Sequence, residues 1–305
     1  MQSEAVQCVP FKTARELFDY LSPLNENWSR ETFIFRGQPD STMSLIPASC
    51  REAFAKNTGW KSFGDESSFD QASFELAVLE KFLEGCDRSG LNIPGYNGMM
   101  RLDLDSPVGI KKLIADQPAA WPTPSFYEVL AAAQHYGVAT RLLDWSRRSY
   151  VAAYFAASSA PHEYVNPNQQ LAIWALNISN CQNWKRLRVV ETPGGTSQNQ
   201  AAQSGLFTLN QSDLDEADFR RAGLEESPDV LSTATRPIRG GAALIQMTLP
   251  IFEASELLIL CEKFGVSGPT LFPGYQGVAR GVSDWIRTQS YIETDPRYRE
   301  EWDES

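Results

Sequence analysis

The chain has 305 residues, 42% of them hydrophobic and 21% charged, enough for one large domain or two ordinary ones with a sizeable core. Its formal net charge of −11 disfavours long-range attraction to nucleic acid or an anionic membrane, although a basic groove would still act within about 10 Å. No apolar run approaches the ~20 residues of a membrane helix.

The opening MQSEAVQCVPFK lacks the basic and apolar segments of a secretory signal, and the five cysteines show no CxxC spacing. The expectation is a cytoplasmic protein with reduced thiols, without a disulfide framework or zinc site. Thr13 and Glu16 form a capping-box pattern that predicts a helix through about Leu21. TFIF within ETFIFRGQPDS (31–41) then reads as a buried strand, ended by Gly37 and Pro39. A strand that finishes a core does not need a guanidinium at its tip. Either Arg36 clamps a buried carboxylate, or its planar fork of N–H donors meets a ligand diphosphate or carboxylate, with Gly37 admitting that ligand to the backbone.

Residues 41–67 show little periodicity. Phe69, Ala72, Leu76, Leu79, Leu83 and Cys86 recur at helical spacing, and Gly90 stops that helix. Residues 90–124 are rich in Pro and Gly, with one short helix near 107–115, so 41–124 reads as a helical and loop excursion. Ser125 and Glu128 make a second capping box, opening a helix that runs through Tyr136 and closes at Gly137. ATRLLDW predicts a short strand and SYVAAYFAAS a helix. Strands follow at 171–177, 185–191, 205–210 and 241–250, with a short helix near 212–222. Helices near 254–264 and 276–289 close the chain before a frayed tail at 290–305. Helices dominate the first half and strands the second without regular alternation, which argues for an α+β fold spanning 1–305 as a single domain. Without GxGxxG or GxxxxGK[ST], ordinary dinucleotide and P-loop readings lack support.

The segment AAAQHYGVATRLLDWSRRSYVAAYFAAS (131–158) sets Gln134, His135, Arg141, Asp144, Trp145 and Ser146 among small apolar residues. Polar groups there must find partners or meet a ligand. Asp144 is a mate for Arg36 or Arg141, so a buried arginine–aspartate lock with His135 as a helix-end hydrogen bonder stands beside the ligand-site reading. His135 and His162 are far apart with no paired Cys or His, which argues against a metal site. The absence of a GxSxG elbow leaves a serine triad unsupported. Gln203, before the strand at Gly205, reads as turn chemistry when taken alone.

Taken together, FIFRGQ, LAAAQHYGVATRLLDWS, VAAYFAA, QSGLFT and GVSGPTLFPGYQGVARGV resemble the FRG-domain family over about 30–285, with Phe-Arg-Gly at 35–37. That family in turn looks like a distant relative of ADP-ribosyltransferases, which split NAD and pass on ADP-ribose. The resemblance implies an ADP-ribosyltransferase-like split β-sheet core with a helical N-terminal part and helical insertions. It implies NAD as substrate without a metal, a nucleic-acid base or protein side chain as acceptor, and a bacterial toxin or antiphage setting with a possible antitoxin partner.

Carried over by motif, Arg36, Gly37 and Gln38 match the first core strand, Ser146 or Ser149 takes the serine role, and Tyr154 stacks on nicotinamide. Gln203, or less well Glu191, stands where the third motif has a glutamate. A neutral amide supplies no negative charge to a cationic sugar, so Asp144 becomes the catalytic carboxylate. Gln203 then orients the ribose with Ser146, beside Trp145, and His135 and Arg141 contact phosphate or activate the acceptor. A noncatalytic nucleotide- or protein-binding module and an NAD hydrolase are the alternatives.

Overall fold

The computed structural model describes residues 6–29, 32–51, 68–161, 168–211, 224–227, 229–230 and 242–294. The helix expected near 212–222, His162 and the tail beyond Thr294 lie outside the described residues. The described residues form seven strands: β1 (Val6–Pro10), β2 (Phe33–Gln38), β3 (Leu142–Ser146), β4 (Gln170–Asn177), β5 (Leu187–Val190), β6 (Gly205–Asn210) and β7 (Leu244–Pro250). They form one sheet in the order β1-β7-β4-β2-β3-β6-β5. Only β1 and β7 pair parallel; the other neighbours are antiparallel. The described α-helices are α1 (Ala14–Tyr20), α2 (Glu26–Ser29), α3 (Ser68–Arg88), α4 (Gly98–Asp105), α5 (Ile110–Asp116), α6 (Tyr127–His135), α7 (Ser149–Ser158), α8 (Gln198–Gln203), α9 (Ala254–Lys263), α10 (Gly268–Leu271) and α11 (Tyr275–Thr294). Helices and strands thus combine around a mixed sheet, compatible with an α+β fold. None of the described helices is long and apolar enough to cross a membrane.

Local chemistry sets several boundaries where the sequence places them. The Thr13 hydroxyl accepts from the Glu16 amide at 3.2 Å while the Glu16 carboxylate accepts from the Thr13 amide at 3.3 Å, a reciprocal cap for α1. Gly137 ends α6 with a φ of +90°, a conformation open to glycine. The expected Ser125–Glu128 box does not form. The cap residue of α6 is Phe126, without a side-chain bond, because a 3-10 turn at Pro124–Phe126 precedes the helix. Residues 90–124 carry two α-helices, α4 and α5, rather than one. Strand β1 was not expected either: its side chains are mostly exposed at the sheet edge, so it lacks the apolar alternation that marks a half-buried strand.

Period-two alternation divides the buried residues among three cores. In β4, Leu171, Ile173 and Ala175 face α1, α7 and α9, while Ala172, Trp174 and Leu176 face the opposite side. In β3 and β6, Leu142, Phe207 and Leu209 pack under α3, α4, α5 and α6. Leu143, Trp145 and Leu206 join the core on the other face. One face of the sheet therefore carries a continuous core, and the other carries two separate helical covers.

Those covers part where the ladder fails. β2 pairs with β4 from Phe33–Asn177 through Gln38–Ala172, and β3 pairs with β6 from Leu142–Leu209 through Ser146–Gly205. Between β2 and β3 there is a single pair, Phe35 with Ser146. Beyond it the strands separate, and α7, which follows β3 almost at once, lies across β2. A Cβ on Gly37 would stand 2.0 Å from the Ala152 carbonyl oxygen and 2.5 Å from the Ala156 amide nitrogen. The close approach that Gly37 permits on this side is that of α7. Gly37→Ala should cost about 1–3 kcal/mol through overpacking, read as a lower denaturant midpoint with unchanged slope.

Candidate functional site

Continued past Phe35–Ser146, the register of β2 and β3 would place Gly37 opposite Asp144. The strands have already diverged, so the Asp144 carbonyl lacks a ladder partner from β2. Arg36 supplies one: its Nη1 donates to Asp144 O at 2.8 Å and lies 3.5 Å from Asp144 Oδ2. The Arg36 side chain is 15% exposed and that of Asp144 59%, so the pair spans a boundary between protein and solvent. Arg36 Nε is buried without a hydrogen-bond partner. Burial lowers the guanidinium pKa, Asp144 opposes that shift, and nearby Arg51 adds to it.

A cavity of about 530 Å³ opens at this break, within the size range of small-ligand sites. β2 contributes Arg36, Gly37 and Gln38; β3 contributes Asp144, Trp145 and Ser146; α6 contributes Gln134 and His135; and α8 contributes Gln200 and Gln203. Phe155 of α7, Phe272 and Arg280 of α11 complete one wall, and Met43 and Arg51 belong to the segment after β2. Four chain segments far apart in sequence thus converge, including the three expected from Arg36, Ser146 and Gln203.

Several of these groups are engaged with one another. The Ser146 hydroxyl donates to the Gln203 carbonyl at 2.8 Å and accepts from the Arg148 amide at 2.9 Å. Gln203 Nε2 donates to the Leu271 carbonyl at 3.1 Å. Gln203 ends α8, before Ser204 turns into the left-handed region at φ 48°. Gln134 bridges Thr140 and Asp144, donating its amide to the Asp144 carboxylate. Asn199 Nδ2 is hydrogen-bonded to His135 Nε2. Burial lowers the His135 pKa, with Asp144 opposing. Gln38 is buried between the Trp174 indole N–H and the Ser44 carbonyl, and the Trp145 indole donates to Thr208 at 2.9 Å.

Two expected site residues lie elsewhere. Arg141 Nε meets Glu75 Oε2 at 2.6 Å, with side chains only 6% and 3% exposed. Glu75 also accepts from the Trp121 indole, Ser49 and Gln71. Arg141 faces this core because β3 has not yet begun at its position, and Glu75 on α3, unremarked in the sequence, saturates it. Tyr154 is buried under α11, its hydroxyl donating to Asp284 Oδ2 at 2.7 Å. Burial and that contact raise its pKa. Its inward face on α7 turns away from the cleft. Ser149 donates to the Leu21 carbonyl at 2.6 Å, and Glu191 pairs with Arg147 at 2.5 Å; neither lines the cavity. Among the cleft residues that sequence reasoning missed are Arg51, Gln200, Phe272 and Arg280. Phe272 and Arg280 lie within GVSGPTLFPGYQGVARGV, so that stretch was the available signal.

The His135 shift has a sign that can be tested. Its folded pKa lies below the ordinary value of 6.5, so the unfolded chain takes up this proton first as pH falls. The corresponding stability is complete above about 6.5, is lost as pH falls from there through the lowered folded pKa, and then levels off. Chemical denaturation between pH 7.5 and 5 should show this slope, and His135→Asn should flatten it.

Neither the curated proteins nor the solved structures contain a match to this chain. The family comparison covers α5, α6, β3 and α7, but not Phe35–Gly37 on β2. Residues 104–164, which carry the Asp144 side of the cleft, match the FRG domain.

Proposed function

We propose that the cleft binds NAD and transfers its ADP-ribose to a macromolecular acceptor, a nucleic-acid base or a protein side chain. The observation that carries this reading is the opening of the sheet at Arg36, which sets a guanidinium on β2 across from the Asp144 carboxylate on β3. A split sheet with an arginine on its first core strand is what the ADP-ribosyltransferase resemblance implies.

In this reading Arg36 holds the NAD diphosphate through terminal N–H groups not spent on Asp144 O. Asp144 is the one carboxylate among the described lining residues. Its negative charge stabilises the oxocarbenium-like sugar as the C1′–N bond breaks and nicotinamide departs with the bonding electrons. The acceptor nucleophile then bonds to C1′ and gives up its proton. His135 offers a ring N–H to a phosphate or ribose oxygen. Gln203 and Ser146 shape the ribose side of the cleft while tied to each other, so their contribution is positioning without charge.

That tie also favours a second reading. The Ser146 hydroxyl is already satisfied and no carboxylate stands at Gln203, as suits a noncatalytic nucleotide-binding module. Nicotinamide release from NAD, followed with and without nucleic acid or cell lysate, separates the two. Transfer predicts release together with labelled macromolecule. Release without any acceptor indicates a hydrolase, and binding without release indicates the module. Asp144→Asn should slow release by about 100-fold or more while leaving the melting temperature nearly unchanged, because the carboxylate is largely exposed.

A further inference from the structure

Two guanidiniums at the cleft have no part in the mechanism above. Arg51 follows the turn Ala48–Cys50, Arg280 lies on α11, and both line the cavity with Arg36. Each is held in place. Arg51 Nε donates to the Ile46 carbonyl at 3.0 Å, and among the described residues its two terminal nitrogens have no hydrogen-bond partner. Arg280 Cζ sits 4.2 Å from the centre of the Phe272 ring, itself part of the cavity wall. Among the described residues no carboxylate lies in ion-pair contact with either one. Asp284, one turn from Arg280, is hydrogen-bonded to Tyr154 instead.

The charge balance of the cleft is therefore opposite to that of the protein. Among the described lining residues three arginines stand against the single carboxylate Asp144, in a chain of net charge −11. Arg36 and Arg51 are near enough for the second to disfavour the charge on the first. Like charges gathered without an anion between them repel, and a bound anion converts that repulsion into binding. A diphosphate on Arg36 and Arg51 would still leave Arg280, which feels Asp284 but makes no ion pair with it among the described residues, free to meet a second anion on its aromatic wall.

We propose that Arg51 and Arg280 are anion-binding residues of this cleft, and that its preferred ligand is anionic at two places. Arg36 and Arg51 share a pyrophosphate beside β2, and Arg280, laid on Phe272, holds a further phosphate monoester. The inference rests on reading the cleft as a nucleotide site, but not on the transfer chemistry. The cleft therefore selects a dinucleotide with an additional ribose phosphate over one with the diphosphate alone.

Calorimetric titration of the full chain at low salt with inorganic pyrophosphate, NAD and the 2′-phosphorylated dinucleotide NADP tests this. NADP should bind about tenfold more tightly than NAD, the increment of one charge-assisted hydrogen bond. Arg280→Gln should remove that preference while leaving pyrophosphate affinity within about twofold, and Arg51→Gln should weaken all three probes about tenfold. Arg15→Gln, an exposed arginine on α1, controls for net charge and should change nothing. Circular dichroism checks that the variants stay folded, as expected for exposed side chains. Equal affinity for NAD and NADP, no binding of pyrophosphate, or an Arg280→Gln effect equal on all three probes would overturn the proposal. Nicotinamide release with a flat affinity pattern defeats this proposal alone; the predicted pattern without release defeats only the transfer reading.

Discussion

The break between β2 and β3 is the constraint on which the rest of this molecule depends. A sheet that parts internally leaves backbone donors and acceptors without ladder partners, and such groups are costly if they also lose water. Here the cost is limited in two ways. Arg36 reaches across the gap to the Asp144 carbonyl and does what the missing β2 amide would have done. On the other face, α7 lies so close on Gly37 that no side chain fits between them, which fixes β2 against its helical cover. Both devices come from the tripeptide Phe35-Arg36-Gly37, whose first member makes the last ladder pair, whose second braces the gap and whose third seats the helix.

A brace of this kind differs from an ordinary lock. Two of the arginine–carboxylate pairs on or beside β3 have unlike geometries. Arg141 and Glu75 are in contact at 2.6 Å with almost no exposure, and every acceptor position on Glu75 has a donor. Removing either partner would strand a buried charge, a loss of about 3–5 kcal/mol. Arg36 and Asp144 stand 3.5 Å apart with Asp144 mostly in solvent, the regime in which an ion pair contributes about 0–1 kcal/mol. An incoming phosphate can therefore displace the Asp144 carboxylate from Arg36 at little expense while the backbone contact to Asp144 O persists.

Much of this architecture was legible because local signals agree with tertiary packing. The capping box at Thr13, the glycine at 137 and the alternation in β4 and β6 each have a short-range physical cause that tertiary contacts did not override. Arg36, Asp144, Ser146 and His135 were singled out as polar residues in apolar or strand-end surroundings and Gln203 only through the family resemblance, and all of them line one cavity. Arg141 carried the same signal and went into the core instead, as did Tyr154, which the resemblance alone had placed at the site. Sequence context shows that a buried polar group needs a partner, but the partners here, Glu75 and Asp284, lie 66 and 130 residues away. Gly37 shows the complementary limit: a glycine marks a close approach without naming what approaches.

The remaining illegible feature is electrostatic, and it bears most directly on function. Net charge is a property of the whole chain, whereas a ligand responds to charges within about 10 Å at physiological salt. Arg51 and Arg280 are separated by more than two hundred residues and look like solvated surface charges in their own segments. Only folding sets them around the same void as Arg36. The acidic exterior then has a role of its own: it repels bulk polyanions, while the local excess of guanidinium and the apolar wall of Phe155 and Phe272 favour an anion small enough to enter. On the proposed reading, a nucleotide, with both phosphate and planar aromatic groups, would satisfy each requirement at once.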